Sequence, residues 1–130
     1  MNNYEITHTI TKKGLLELVW LCFTSHSIGY GCISIGSYEV DYQDAKKRLQ
    51  AQNATPCVED IWVEILRSGK NLKMYDHEEE ETTRFSLEGL MANFSKVDAW
   101  RLSQVINEED DACTHDEILQ CLLLGDVVYC

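Results

Sequence analysis

Proline is almost missing from this chain: Pro56 is the only one in 130 residues. No Gly/Ser or Pro tract stands in for it, so nothing has the composition of a linker. The length matches the usual size of one hydrophobic core, and a single domain over 1–130 is expected. Long apolar runs are missing too. The longest is Leu18-Val19-Trp20-Leu21-Cys22-Phe23, and Cys121-Leu122-Leu123-Leu124 comes next. A membrane-spanning helix needs about 20 such residues in a row, so both runs read as core material. Basic residues are scarce. Eleven Lys and Arg stand against 22 Asp and Glu, for a net charge of −11.

The acidic excess is uneven. Residues 1–65 carry 8 acids and 5 bases, whereas residues 66–130 carry 14 acids and 6 bases. Such a surface repels nucleic acid and anionic membranes and attracts basic partners. Direct nucleic-acid binding and membrane association are therefore not expected; a basic protein partner is.

The common chemical signatures are also absent. There is no C-x-x-C, G-x-S-x-G, H-E-x-x-H or kinase signature. The start, Met1-Asn2-Asn3-Tyr4-Glu5, has neither the basic residues nor the apolar stretch of a secretory signal. A cytoplasmic setting is expected from this. The six cysteines at 22, 32, 57, 113, 121 and 130 are accordingly read as reduced thiols. Cys22, Cys57 and Cys121 fall in apolar helical patterns, where a thiol behaves as a small hydrophobe.

What is present is ordinary globular material, 45% hydrophobic and 25% charged, far from the disordered class. Tyr4, Ile6, His8 and Ile10 alternate with Glu5, Thr7 and Thr9, the period of a half-buried strand. Thr11 is placed to cap a helix to about Phe23, with Leu15, Leu18, Val19 and Cys22 as its stripe and a largely buried position. Residues 25–31 read as a loop, and Cys32, Ile33 and Ile35 as a short strand ending at Gly36. Asp41 is the expected cap of a polar helix ending near Asn53. Thr55 and Pro56 are expected to open the next helix, which carries Val58, Ile61, Trp62, Ile65 and Leu66 and stops at Gly69. Leu72 and Met74, then Thr83 and Phe85, flank a charged tip at 76–81 and predict a β-hairpin. Two short helices follow, one capped by Ser86, the other bearing Val97, Leu102, Val105 and Ile106. Thr114 and Glu117 have capping-box spacing for a last helix ending at Gly125, and Val127-Val128-Tyr129 reads as an edge strand. The sum is an α+β domain: several helices packed on a small, mainly antiparallel sheet.

Candidate chemistry concentrates in four places. Asp76-His77-Glu78-Glu79-Glu80-Glu81 has oxygen donors but neither the alternating ligands nor the turn glycine of an EF-hand, so it reads as a solvated tip. Glu108-Glu109-Asp110-Asp111 is a second acidic run. Together, Glu78–Glu81 and Glu108–Asp111 offer a face for a basic partner, including one whose nucleic-acid-binding groove they compete for. Cys113, His115 and Asp116 put a thiol, an imidazole and a carboxylate within four residues, but adjacency in sequence supplies neither hydrogen-bond reach nor four zinc ligands. No metal, no cofactor and no catalytic residue is assigned, and a non-enzymatic protein is expected. The alternative is a small enzyme or ligand binder that uses His26 and Tyr30, in a Ser/Gly loop. Gly29-Tyr30-Gly31 lacks the G-x-G-x-x-G spacing and lysine of a phosphate cradle.

Pro56-Cys57-Val58-Glu59-Asp60, and Asp110-Asp111-Ala112 followed by Ile118-Leu119-Gln120 and Gly125-Asp126-Val127-Val128, resemble small acidic proteins of unknown function carried by mobile elements of gut Bacteroidetes. The resemblance covers mainly the second half of the chain. It implies a cytosolic accessory role and carries over no site residue.

Overall fold

The computed structural model describes residues 9–25 and 28–130. The expected strand over 4–10 lies outside the described residues as far as His8, and Thr9 and Ile10 are not in a strand. The expectation for His26 also falls outside them.

Among the described residues, six α-helices pack on one three-stranded sheet, the α+β architecture read from the sequence. Helix α1 spans Lys12–Phe23, and the Thr11 hydroxyl accepts from the Gly14 amide at 3.0 Å. Strand β1 spans Ile33–Ser37, then α2 spans Glu39–Ala51 and α3 spans Val58–Arg67. Strands β2 (Leu72–Asp76) and β3 (Glu81–Phe85) form the predicted hairpin. The last three helices are α4 (Leu87–Asn93), α5 (Ala99–Ile106) and α6 (Ala112–Leu124). The sheet is antiparallel in the order β1-β2-β3, with Ile33 opposite Asp76 and Leu72 opposite Phe85.

Helix ends depart from the sequence expectation in three places, each for a local reason. Tyr38, not Asp41, is the N-cap of α2, which leaves Asp41 and Glu39 in the first turn where the helix dipole favours acids. Helix α3 starts at Val58 rather than at Pro56. Cys57 is its N-cap, and Asp60 accepts from the Cys57 amide at 3.0 Å, so an aspartate supplies the reciprocal half of the capping box. That position leaves Cys57 and Val58 exposed instead of in the core. Helix α6 starts two residues before Thr114 because Asp111 takes the Thr114 amide at 2.9 Å. The stops are as read. Gly69 has φ +85°, and the bonds Gly69 N–H to Leu66 O and Lys70 N–H to Ile65 O form a Schellman motif. Gly125 ends α6 at φ +83°.

The core joins Leu15, Val19 and Cys22 of α1 to Ile61, Ile65 and Leu66 of α3, Leu72 of β2, Leu90 of α4, and Ile118, Leu119 and Leu122 of α6. Helix α1 is less enclosed than expected: Trp20 is 40% exposed, its indole N–H donating to Asp60 at 2.8 Å. The enclosed helix is α6, which buries Asp116 and Gln120 along with its apolar residues. Buried polar groups must find partners, and these two organise the rest of the molecule.

The Val127-Val128-Tyr129 segment forms no edge strand. Gln120 holds it instead: its carboxamide oxygen accepts from the amides of Val128 (2.9 Å) and Tyr129 (2.8 Å), and its Nε2 donates to the Tyr129 carbonyl (2.9 Å). A side chain has taken the pairing a neighbouring strand would give. Tyr129 then reaches β2, its hydroxyl donating to the Asp76 carboxylate at 2.6–2.7 Å.

Candidate functional site

The loop after α1 collects most of the unusual chemistry. Gly29, Tyr30 and Gly31 are left-handed in succession, with φ of +59°, +51° and +89°. A side chain there normally costs about 1–2 kcal/mol, so Tyr30 is held by its surroundings. The holding group is Asp116 of α6. Its carboxylate accepts from the Gly29 amide in a short hydrogen bond, from the Tyr30 amide at 3.3 Å, and from Gln120 Nε2 at 3.2 Å. This is an anion nest built from backbone N–H groups, and the chain fills it with its own carboxylate. Burial pushes the Asp116 carboxyl above its ordinary range, against the Gly29, Gln120 and Tyr30 donors that favour the charge. The third candidate cluster therefore separates: Asp116 holds the turn, His115 pairs with Ser25 and Asp110, and Cys113 hydrogen-bonds the Tyr30 hydroxyl.

Tyr30 itself points outward, 44% exposed. Its hydroxyl donates to Glu117 at 3.4 Å, and the hydrogen bond with Cys113 pushes its pKa up to about 12. Glu117 also pairs with Arg101, which pairs in turn with Asp98. The cation that pairs with Glu117 beside Tyr30 is thus already committed.

Both acidic runs border this loop. At one end the Cys32 thiol donates to Glu78 at 3.8 Å. At the other, Ser25 meets His115 Nδ1 at 3.0 Å, and His115 Nε2 makes a short bond to Asp110. Glu78, Glu79, Glu80 and Glu81 are exposed, as are Glu108 and Glu109. The other two members of the second run are engaged by neighbouring groups, Asp110 partly enclosed and Asp111 exposed as the sequence implies. Asp110 is 15% exposed and engaged by His115, while Asp111 caps α6, the Thr114 amide holding its carboxyl below the usual range. Asp76, read as part of the tip, is also withdrawn: it is buried, pairs with Glu81 across the ladder, and accepts from the amides of Glu78 (3.0 Å) and Glu79 (3.1 Å).

The Ser25–His115–Asp110 chain was not legible in the sequence. His115 was visible, but the spacing of 90 residues to Ser25 carries no signal; only the packing of α1 against α6 brings them together. Among the described residues no three His, Cys, Asp or Glu side chains lie close enough to hold a metal. An apolar cleft of about 680 Å³ opens between α1 and α5, lined by Ile10, Leu18, Leu21, Leu102, Val105 and Ile106. Tyr30 does not line it. No helix among the described residues is long and apolar enough to cross a membrane. No family model, curated protein or solved structure matches the chain.

Proposed function

We propose that this chain is a cytoplasmic, protein-binding accessory factor whose acidic face, centred on Tyr30, docks on a basic partner. The observation that carries the reading is Tyr30: a large aromatic held outward on a left-handed backbone, with one acidic run at each end of its loop. Tyrosine is enriched among residues that dominate binding energy, and an arginine of the partner can stack on its ring while pairing with a carboxylate. Glu78–Glu81 and the exposed pair Glu108 and Glu109 supply the long-range attraction; Asp110 and Asp111 contribute field while holding the fold. A partner surface complementary to such a face is basic, and a basic nucleic-acid-binding groove meets that description. The accessory role implied by the resemblance to mobile-element proteins is compatible with a factor of this kind.

The test begins with a partner recovered from native-host lysate at low salt and released at high salt. The purified partner, loaded with labelled duplex DNA, should lose that DNA as the acidic protein is added. Tyr30→Ala should weaken the competition at least tenfold. Displacement that is unaffected by Tyr30→Ala, or a partner that keeps its DNA while bound, would contradict the reading.

A further inference from the structure

A second feature lies at the start of the same loop. Ser25, just beyond α1, shares a hydrogen bond with His115 near the start of α6, and Asp110 holds the opposite ring nitrogen. A carboxylate only accepts, so the proton on the Asp110 side belongs to Nε2. In the neutral ring Nδ1 then keeps its lone pair, and the Ser25 hydroxyl donates to it at 3.0 Å. Hydroxyl, imidazole and carboxylate in this order form the nucleophile–base–orienter arrangement of acyl transfer, which is recognised by geometry and roles rather than by sequence position. Here the two ring nitrogens exchange their usual partners. Either nitrogen can carry the in-plane lone pair while the other holds the proton, so the chemistry is unchanged. Asp110 and the His115 side chain are each 15% exposed, enough enclosure to fix the ring while leaving it reachable.

We propose that Ser25 is the nucleophile of an esterase site, with His115 as general base and Asp110 as its positioning residue, acting on carboxylic esters that carry positive charge. Ser25 Oγ forms a bond to the acyl carbon as its proton passes to His115 Nδ1 and the carbonyl pair moves onto oxygen. The pair returns, the bond to the alcohol oxygen breaks, and that oxygen takes the proton from Nδ1. Water then attacks the acyl-serine, giving its proton to the same nitrogen. The carboxylic acid leaves, and the proton returns to Ser25 Oγ. The charge preference follows from the surroundings: the exposed Glu108 and Glu109 precede Asp110, Glu78 borders the other end of the loop, and the net charge of −11 attracts cations and repels carboxylates. Esters are specified because an alkoxide leaves more readily than an amide nitrogen.

The full chain is incubated with a fluorophosphonate probe, and the modified residue is located by peptide mass spectrometry. Hydrolysis of acetylcholine and of 4-nitrophenyl acetate is followed alongside. Ser25 should carry the adduct, and Ser25→Ala should abolish it together with hydrolysis of both esters. His115→Gln and Asp110→Asn should slow labelling by about 100-fold or more, since a positioned base contributes about 10²–10⁴. The cationic ester should lose rate with added salt while the neutral one does not. If the folded wild-type protein shows no adduct on Ser25, the proposal fails. If Ser25 is labelled equally fast in a folded Asp110→Asn protein, the serine is merely exposed and the proposal also fails. Neither result touches the docking role of Tyr30.

Discussion

Gly29 is more tightly constrained than Gly31, where an added Cβ would meet nothing within 4 Å. Its φ of +59° disfavours a side chain, and a Cβ would stand 2.9 Å from Ile33 Cγ1 and 3.3 Å from Tyr129 Cδ2. Gly29→Ala should cost about 2–3 kcal/mol in urea unfolding, combining left-handed strain with overpacking. Tyr30 is the opposite case. It has the same backbone hand but open surroundings, so Tyr30→Gly should leave stability within about 1 kcal/mol, the relieved strain offsetting the added chain entropy. Partner binding should fall sharply in the same variant. A large stability loss on Tyr30→Gly would show that the ring packs for structure rather than waiting for a partner. Glu64 follows another rule. Burial opposes its charge, but hydrogen bonds from Arg67 (2.7 Å) and Arg48 (3.1 Å) outweigh it and hold its carboxyl below the usual range.

Between elements, the chain Asp116–Gln120–Tyr129–Asp76 ties the 28–31 turn, α6, the C-terminal segment and the hairpin together. The Tyr129 hydroxyl is the main cause holding the Asp76 carboxyl below its usual range; burial opposes it, and the Glu79 and Glu78 amides assist. A carboxyl with a depressed native pKa contributes stability above its unfolded value of about 3.9, and loses it as pH falls through the native value. Tyr129→Phe should therefore lower the urea midpoint at pH 7, and the gap from wild type should narrow at pH 3. A gap independent of pH would mean that the hydroxyl stabilises by packing alone. None of this chain could be read beforehand, because a buried Gln and a buried Asp look like exposed helix residues in a sequence. Local signals fared better. Thr11, Ser86, Gly69 and Gly125 mark their helix ends because each acts on its own backbone within a few residues, and the hairpin followed from its alternation. The misread starts at Thr55 and Thr114 share one cause: Asp60 and Asp111, stronger acceptors close by, took the exposed amides. Of the candidate site, the two acidic runs were visible as composition; that both border one turn was not.

Across the whole molecule, charge is the property that most sets its encounters. At about 0.15 M salt, exposed charges act over only about 8 Å, so the face works by local complementarity and salt weakens it strongly. The most direct measurement is the association rate with the recovered partner, for wild type and for a variant in which Glu78, Glu79, Glu108 and Glu109 are changed to glutamine. These four are exposed and hold no helix end, so the variant should fold and melt like wild type. Association should slow at least tenfold at low salt, the two proteins should converge as salt is raised, and dissociation should change little. If the association rates agree at every salt concentration, the acidic face does not steer a partner and the central reading is wrong.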